Sequence, residues 1–183
     1  GNALDSDTYS NTFFGHAAGY SLDSGDGNTA VGRYALQNGT SATSNSVFGY
    51  GAGRATTTAE NNTLLGYEAG TAITTGGKNT FIGLNSGKSA TTGNKNCALG
   101  NDAGQGITSG FWNIYIGEKA GYSTTTGYGN VAIGRSSLYN NTGATYNTCV
   151  GNGAGTNFTS HLNVAIGADA GQMGGSKQYS VYV

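Results

Sequence analysis

A large apolar residue stands directly before a glycine ten times, at Phe14-Gly15, Val31-Gly32, Phe48-Gly49, Leu65-Gly66, Ile82-Gly83, Leu99-Gly100, Ile116-Gly117, Ile133-Gly134, Val150-Gly151 and Ile166-Gly167. Successive glycines are seventeen positions apart, except in the last interval, which is one position shorter. Four residues before each glycine is an asparagine: Asn11, Asn28, Asn45, Asn62, Asn79, Asn96, Asn113, Asn130, Asn147 and Asn163. With the glycine as position 0, position +3 is always Ala or Ser. Position +4 is Gly in eight copies and Leu in two, Leu36 and Leu138. The linking residues often contain Thr-Thr-Gly.

A helix does not suit this unit. Gly costs about 1 kcal/mol in a helix interior, and each unit carries Gly at position 0 and mostly at +4. The apolar residues also sit in one short run rather than at helical spacing. Short strands bounded by Gly and Asn turns fit instead, and a fixed period points to a stacked repeat. The pattern predicts an all-β, parallel β-solenoid (β-roll) of ten coils over residues 11–171. Each coil is expected to hold a strand, a turn, a second short strand and a return loop. Residues 1–10 read as a lead-in and 172–183 as a C-terminal cap or connecting strand. At strand spacing the rod spans about 45–50 Å.

Alternate strand residues face opposite sides. Positions −1 and −3 share one face, aliphatic or aromatic at −1 and mostly Thr or Ser at −3. Position −2 faces the other way and is never charged. A thin coil buries only one face in its own interior, so the other needs a partner, most economically a second copy of the chain. Position −2 alternates large residues with Ala30, Ala98, Ala132 and Ala165, as interdigitating surfaces do. The expected oligomer interface is therefore Phe13, Val47, Leu64, Phe81 and Tyr115. The Asn column is expected to ladder from coil to coil or to set the turn into the strand.

The composition fits a built rod better than a disordered chain. There are 34 glycines, no proline and only 9% charged residues, yet 36% are hydrophobic and fall in register. A net charge of −1 carries no signature for nucleic acid or an anionic membrane. No apolar run approaches the length of a membrane helix. The chain begins at Gly1 without an initiator methionine, as a processed product or a piece of a longer chain would. Cys97 and Cys149 lie in different coils, about 14 Å apart at strand spacing and beyond disulfide reach.

No catalytic, metal or cofactor site is expected. His16 and His161 lie in distant copies, so no Ser/His/Asp cluster forms. Gly49–Gly53 and Gly151–Gly155 lack G-x-G-x-x-G spacing and recur as part of the repeat. Asp23 and Asp26 share one loop, a weak candidate for a stray cation. Sequons such as Asn38-Gly-Thr40 and Asn157-Phe-Thr159 are expected by chance in a chain rich in Asn and Thr. Thr40, Thr57, Thr74, Thr91, Thr108, Thr125, Thr142 and Thr159 form a column at +8 that could either order water or ladder along the stack. The ligand-binding candidates are exposed aromatics able to stack on sugar rings: Tyr50, Tyr67, Trp112, Tyr122 and Tyr128.

The units Asn130-Val-Ala-Ile-Gly134 and Asn163-Val-Ala-Ile-Gly167 resemble the N-S-V-A-I-G repeats of trimeric autotransporter adhesin heads. The longer unit Asn28-Thr-Ala-Val-Gly-Arg-Tyr-Ala-Leu36 is similar to repeats of phage tail fibres. The adhesin repeats are usually shorter than the unit found here. The resemblance spans residues 11–171 and implies a homotrimeric rod with this strand towards the three-fold axis. It implies a structural, adhesive role, foremost as a tail-fibre segment presenting loops to a host-surface glycan or protein. A bacterial surface adhesin head or self-assembling filament, and then an ice-binding solenoid, are the alternatives. The expected location is a virion or cell surface. The expected partners are other copies of the chain and a surface glycan or protein, with neither nucleic acid nor membrane insertion.

Overall fold

The computed structural model describes residues 10–172 and 178–183. Each copy of the Asn-x-x-Φ-Gly unit forms one three-residue strand: β1 Thr12–Phe14, β2 Thr29–Val31, β3 Ser46–Phe48, β4 Thr63–Leu65, β5 Thr80–Ile82, β6 Cys97–Leu99, β7 Ile114–Ile116, β8 Val131–Ile133, β9 Thr148–Val150 and β10 Val164–Ile166. A further strand, β11 Val181–Tyr182, follows. All pair in parallel in sequence order, forming one eleven-stranded sheet. The register is the repeat itself: Thr63 pairs with Thr80, Leu64 with Phe81 and Leu65 with Ile82. Where the last repeat interval shortens, the register holds, with Thr148 opposite Val164. The fold is thus a parallel β-solenoid of about ten turns with no helix among the described residues.

The expected second strand does not form. Outside the named strands the described residues contain two isolated bridges, Thr43–Glu60 and Asn94–Phe111. Elsewhere the chain keeps turning, because the coil visits left-handed backbone at +2, +4 and, in most coils, +12. Lys119, Gly121 and Trp112, with φ of 57°, 60° and 58°, represent the three columns. Consecutive extended residues are what a strand needs, and the corners at +2 and +4 interrupt them directly after the first strand. Coil-to-coil backbone bonds continue through the turns nonetheless. Gly87 N–H donates to Ala103 O (3.0 Å) and Thr91 N–H to Thr108 O (2.9 Å).

Position 0 is glycine for two reasons at once. At Gly83 the backbone holds φ +132°, and a Cβ there would press into the carbonyl of Gly100 in the next coil. The same stacking of glycine on carbonyl recurs from Gly15 to Gly151. L-residues avoid that conformation even without the clash.

The core is one residue wide and runs the length of the rod. It is filled by positions −2, +3, +4, +7 and +10, and in several coils the sizes compensate. Phe81 faces Gly87 and Ala90; Ala30 shares its layer with Leu36 and Gly39; Ala98 with Gly104 and Ile107. Tyr115 lies against Gly121 and Thr124, and Ala132 is matched by Leu138. In these layers a large side chain is set against small ones, whereas the fourth coil packs two large ones, Leu64 and Ile73, around Gly70.

Residues 178–183 lie on the last coil. Val181 pairs with Val164 and Tyr182 with Ala165, and Ser180 N–H donates to Asn163 Oδ1 (3.0 Å). Tyr182 packs against Phe158, ring centroids 5.4 Å apart. Most of the lead-in, residues 1–9, and residues 173–177 of the C-terminal segment lie outside the described residues.

Candidate functional site

The inner column corrects the interface expected from sequence. Val47, Leu64, Phe81 and Tyr115 are at most 1% exposed within a single chain, and Phe13 packs against the same core at its open end. They fill the coil's own interior and have no surface to offer a partner. The size alternation at −2 is answered by +4 and +7 of the same chain, not by another copy. That reciprocity was the sequence signal for an inward face: at +4, Leu replaces Gly only where −2 is Ala.

The asparagine column forms the expected ladder. Asn79 Oδ1 accepts from the Asn96 backbone N–H (3.0 Å) and from Asn96 Nδ2 (3.1 Å). Asn96 Nδ2 also donates to Gly110 O (2.8 Å), closing the coil. The ladder runs from Asn11 to Asn163, and the buried amides are satisfied along it. The threonine column is engaged the same way. From Thr40 to Thr125, each hydroxyl donates to the carbonyl of the next coil's threonine, as Thr74 to Thr91 (3.2 Å) and Thr91 to Thr108 (3.1 Å). Those hydroxyls point along the stack, which weakens the ice-binding alternative.

Apolar surface is presented by the opposite strand face. At −1, Phe14, Phe48, Leu65, Ile133 and Ile166 are exposed, and Val31, Ile82, Leu99, Ile116 and Val150 half-buried. At −3 this face adds Ile114, Val131, Val164 and Cys97. At +1, Tyr50, Tyr67 and Leu84 widen it in the third to fifth coils. The −1 residues form an apolar strip along the rod, and Leu65 at 46% exposure typifies it. Soluble monomers rarely expose such patches without a use for them.

The five aromatic candidates fall on three corners rather than in one site. Tyr50 and Tyr67 stack in parallel at +1, centroids 5.2 Å apart. Tyr122 stacks on Tyr139 at +5, at 4.8 Å. Tyr128 stacks on Phe111 at +11, at 4.6 Å. Trp112 stands at +12 and meets Phe111 edge to face at 5.1 Å. Tyr50 and Tyr67 are brought together directly, and Tyr128 and Trp112 through Phe111.

Beside Trp112 a cleft of about 390 Å³ opens between corner loops of successive coils. Gly77 forms a gap in the +11 column between Glu60 and Asn94. Lys78 and Lys95 stand next to it at +12, and Lys95 Nζ lies 5.3 Å from the centre of a Trp112 ring. Sequence reading missed Glu60, Lys78, Asn94, Lys95 and Phe111. Their only signal was that +11 and +12 change character here, from Thr43 and Ser44 to charged and aromatic residues.

The remaining polar groups serve the coil. His161 Nδ1 accepts from Thr145 N–H (3.0 Å), and Asp26 Oδ1 accepts from Gly27 N–H (2.7 Å). Lys88 pairs with Glu68 at 2.7 Å, and this bond raises the lysine pKa. Cys97 and Cys149 are free thiols on opposite strand faces. Burial pushes Cys149 up to about 12 and raises Cys97 as well. Burial likewise raises Tyr115, whose hydroxyl donates to Thr124 Oγ1 (3.0 Å). No group of three His, Cys, Asp or Glu side chains among the described residues is placed to hold a metal. No family model, curated protein or solved structure matches this chain.

Proposed function

We propose that this chain is a structural and adhesive fibre segment, foremost of a phage tail fibre, assembled as a homotrimer through its outward −1/−3 strand face. The observation that carries the reading is the apolar strip: all ten −1 positions are aliphatic or aromatic, and none is fully buried in one chain. Three copies packed around an axis would cover three such strips and leave the corner loops outside. Hydrophobic burial is the dominant favourable term in such association. The resemblance to trimeric fibre repeats supports the stoichiometry, and the aromatic corners would supply contacts to a host-surface glycan or protein. The place of action would be a virion surface or the outside of a cell.

Sedimentation equilibrium tests the assembly. The expected mass is three times that of the 18.4 kDa chain. A stable species at 18.4 kDa would overturn it.

A further inference from the structure

We propose that the cleft beside Trp112 is a carbohydrate-binding site that prefers saccharides carrying a carboxylate. This deepens the adhesive reading above and rests on it for biological context, though the binding chemistry is local to one chain.

Three observations converge. First, Trp112 has φ 58°, left-handed backbone that bulky residues rarely adopt. The same left-handed column holds Ser44, Asn61, Lys78, Lys95 and Tyr146 in other coils, so the backbone there belongs to the repeat, and it is the indole that is particular to this coil. Trp112 is 53% exposed, so core burial does not account for it. An indole with no core role presents its ring to whatever enters the cleft. Second, the gap at Gly77 gives the indole an adjoining cleft rather than a flat surround. Its lining comes from the corner loops of four successive coils, about 14 Å of length at strand spacing, and its volume lies in the range of small-ligand sites. Third, charged and amide groups stand among the aromatic rings of the walls. Among the described residues the one ion pair is Lys88–Glu68, which leaves the Lys78 and Lys95 ammoniums and the Glu60 carboxylate unpaired. Asn94 is held in place, its Oδ1 accepting from Gly77 N–H (2.8 Å) and its Nδ2 donating to Thr92 O (2.6 Å).

This combination suits a sugar better than a peptide. The negative face of an indole attracts the weakly positive C–H face of a pyranose ring. Glu60 can accept hydrogen bonds from ring hydroxyls. Two ammoniums against one carboxylate favour an anionic sugar, and Lys95 Nζ lies over the indole ring, setting a cation against the stacking platform itself.

Trp112 is the sole tryptophan, so its fluorescence reports on this cleft alone. The intact chain is titrated with oligogalacturonate and sialyllactose as acidic probes, cello-oligosaccharide and lactose as neutral ones, and polyglutamate as an anionic non-sugar. The expected result is a saturating emission change with an acidic saccharide, at least tenfold weaker with its neutral counterpart. Lys78→Ala with Lys95→Ala should abolish that preference, and Trp112→Ala should abolish binding by calorimetry with the sedimenting mass unchanged. A response to polyglutamate equal to that of the acidic saccharides, a response to none of the saccharides, or calorimetric binding that survives Trp112→Ala overturns the proposal. A trimeric assembly that binds no saccharide sinks the cleft alone. A monomer that binds saccharide sinks the trimer alone.

Discussion

The same three-residue strand carries two columns with opposite rules. Inward, at −2, residue size varies from Ala to Tyr, and in several coils the change is answered at +4 or +7. Outward, at −1, the residues are uniformly large and apolar, and nothing within the chain answers them. Variation with compensation marks a packed interior, where volume is conserved. Uniformity without compensation is what the proposed interface between copies would need. The contrast separates what folds the coil from what, on that proposal, assembles it.

The inner rule breaks most severely with a charge. Phe81→Asp places an unpaired carboxylate where exposure is 0%, so it should unfold the central coils, costing about 3–5 kcal/mol or more. Circular dichroism melting should show loss of structure, not dissociation of folded chains. A folded, merely dissociated variant would return Phe81 to an interface.

The ladder should break next. Asn96→Ala removes the acceptor for Asn113 N–H and Nδ2 and the donor to Gly110 O. A buried orphan costs about 1–3 kcal/mol, so chemical denaturation should show a loss of about 3 kcal/mol. An effect under about 0.5 kcal/mol would reduce the column to a turn preference.

Compensation itself can be tested in the second coil. Ala30→Phe alone overpacks, at about 1–3 kcal/mol, and Leu36→Gly alone leaves a cavity, at about 2–5 kcal/mol. Together they reproduce the pattern of Phe81 and Gly87. The double variant should regain at least half of the summed losses, and strict additivity would refute the volume rule.

Alkali probes the inner column without a substitution. The folded pKa values of Cys149 and Tyr115 are raised, so their stabilising contribution is complete below the unfolded pKa. It fades as pH climbs past that value, for Cys149 from 9.0 towards about 12. The melting temperature should therefore fall from pH 9 to 11, and less steeply in Cys149→Ala. Identical slopes would place the thiol in solvent.

The outer rule should break with little effect on folding. Leu65→Asp changes an exposed side chain, so the coil should keep its stability to within about 0.5 kcal/mol. The sedimenting mass should fall to that of one chain. Unfolding instead would mean the face is core.

The period, the asparagine ladder and the glycine at 0 were legible in the sequence because each depends on one residue type at one spacing. The direction of the strand was not. Thr and Ser at −3 sit beside aliphatic −1 residues, so hydrophobicity alone ranked −2 and −1 as equals. Leu36 and Leu138, the two exceptions at +4, held the answer, because a leucine fits there only over an alanine. The second strand failed to form because left-handed corners depend on backbone angles that Glu68 or Lys119 do not announce by residue type. The Trp112 cleft was only half visible, since its walls come from four separate repeats.

The two cysteines sit one on each face, Cys97 at −3 and Cys149 at −2, and together they test the central claim most directly. Native protein is treated with a thiol reagent and the labelled positions are read by mass spectrometry, for the wild type and for Leu65→Asp. The account predicts neither thiol labelled in the assembled wild type, and Cys97 alone labelled in the dissociated variant. Labelling of Cys149 in either folded protein, or ready labelling of Cys97 in the wild type, would contradict it.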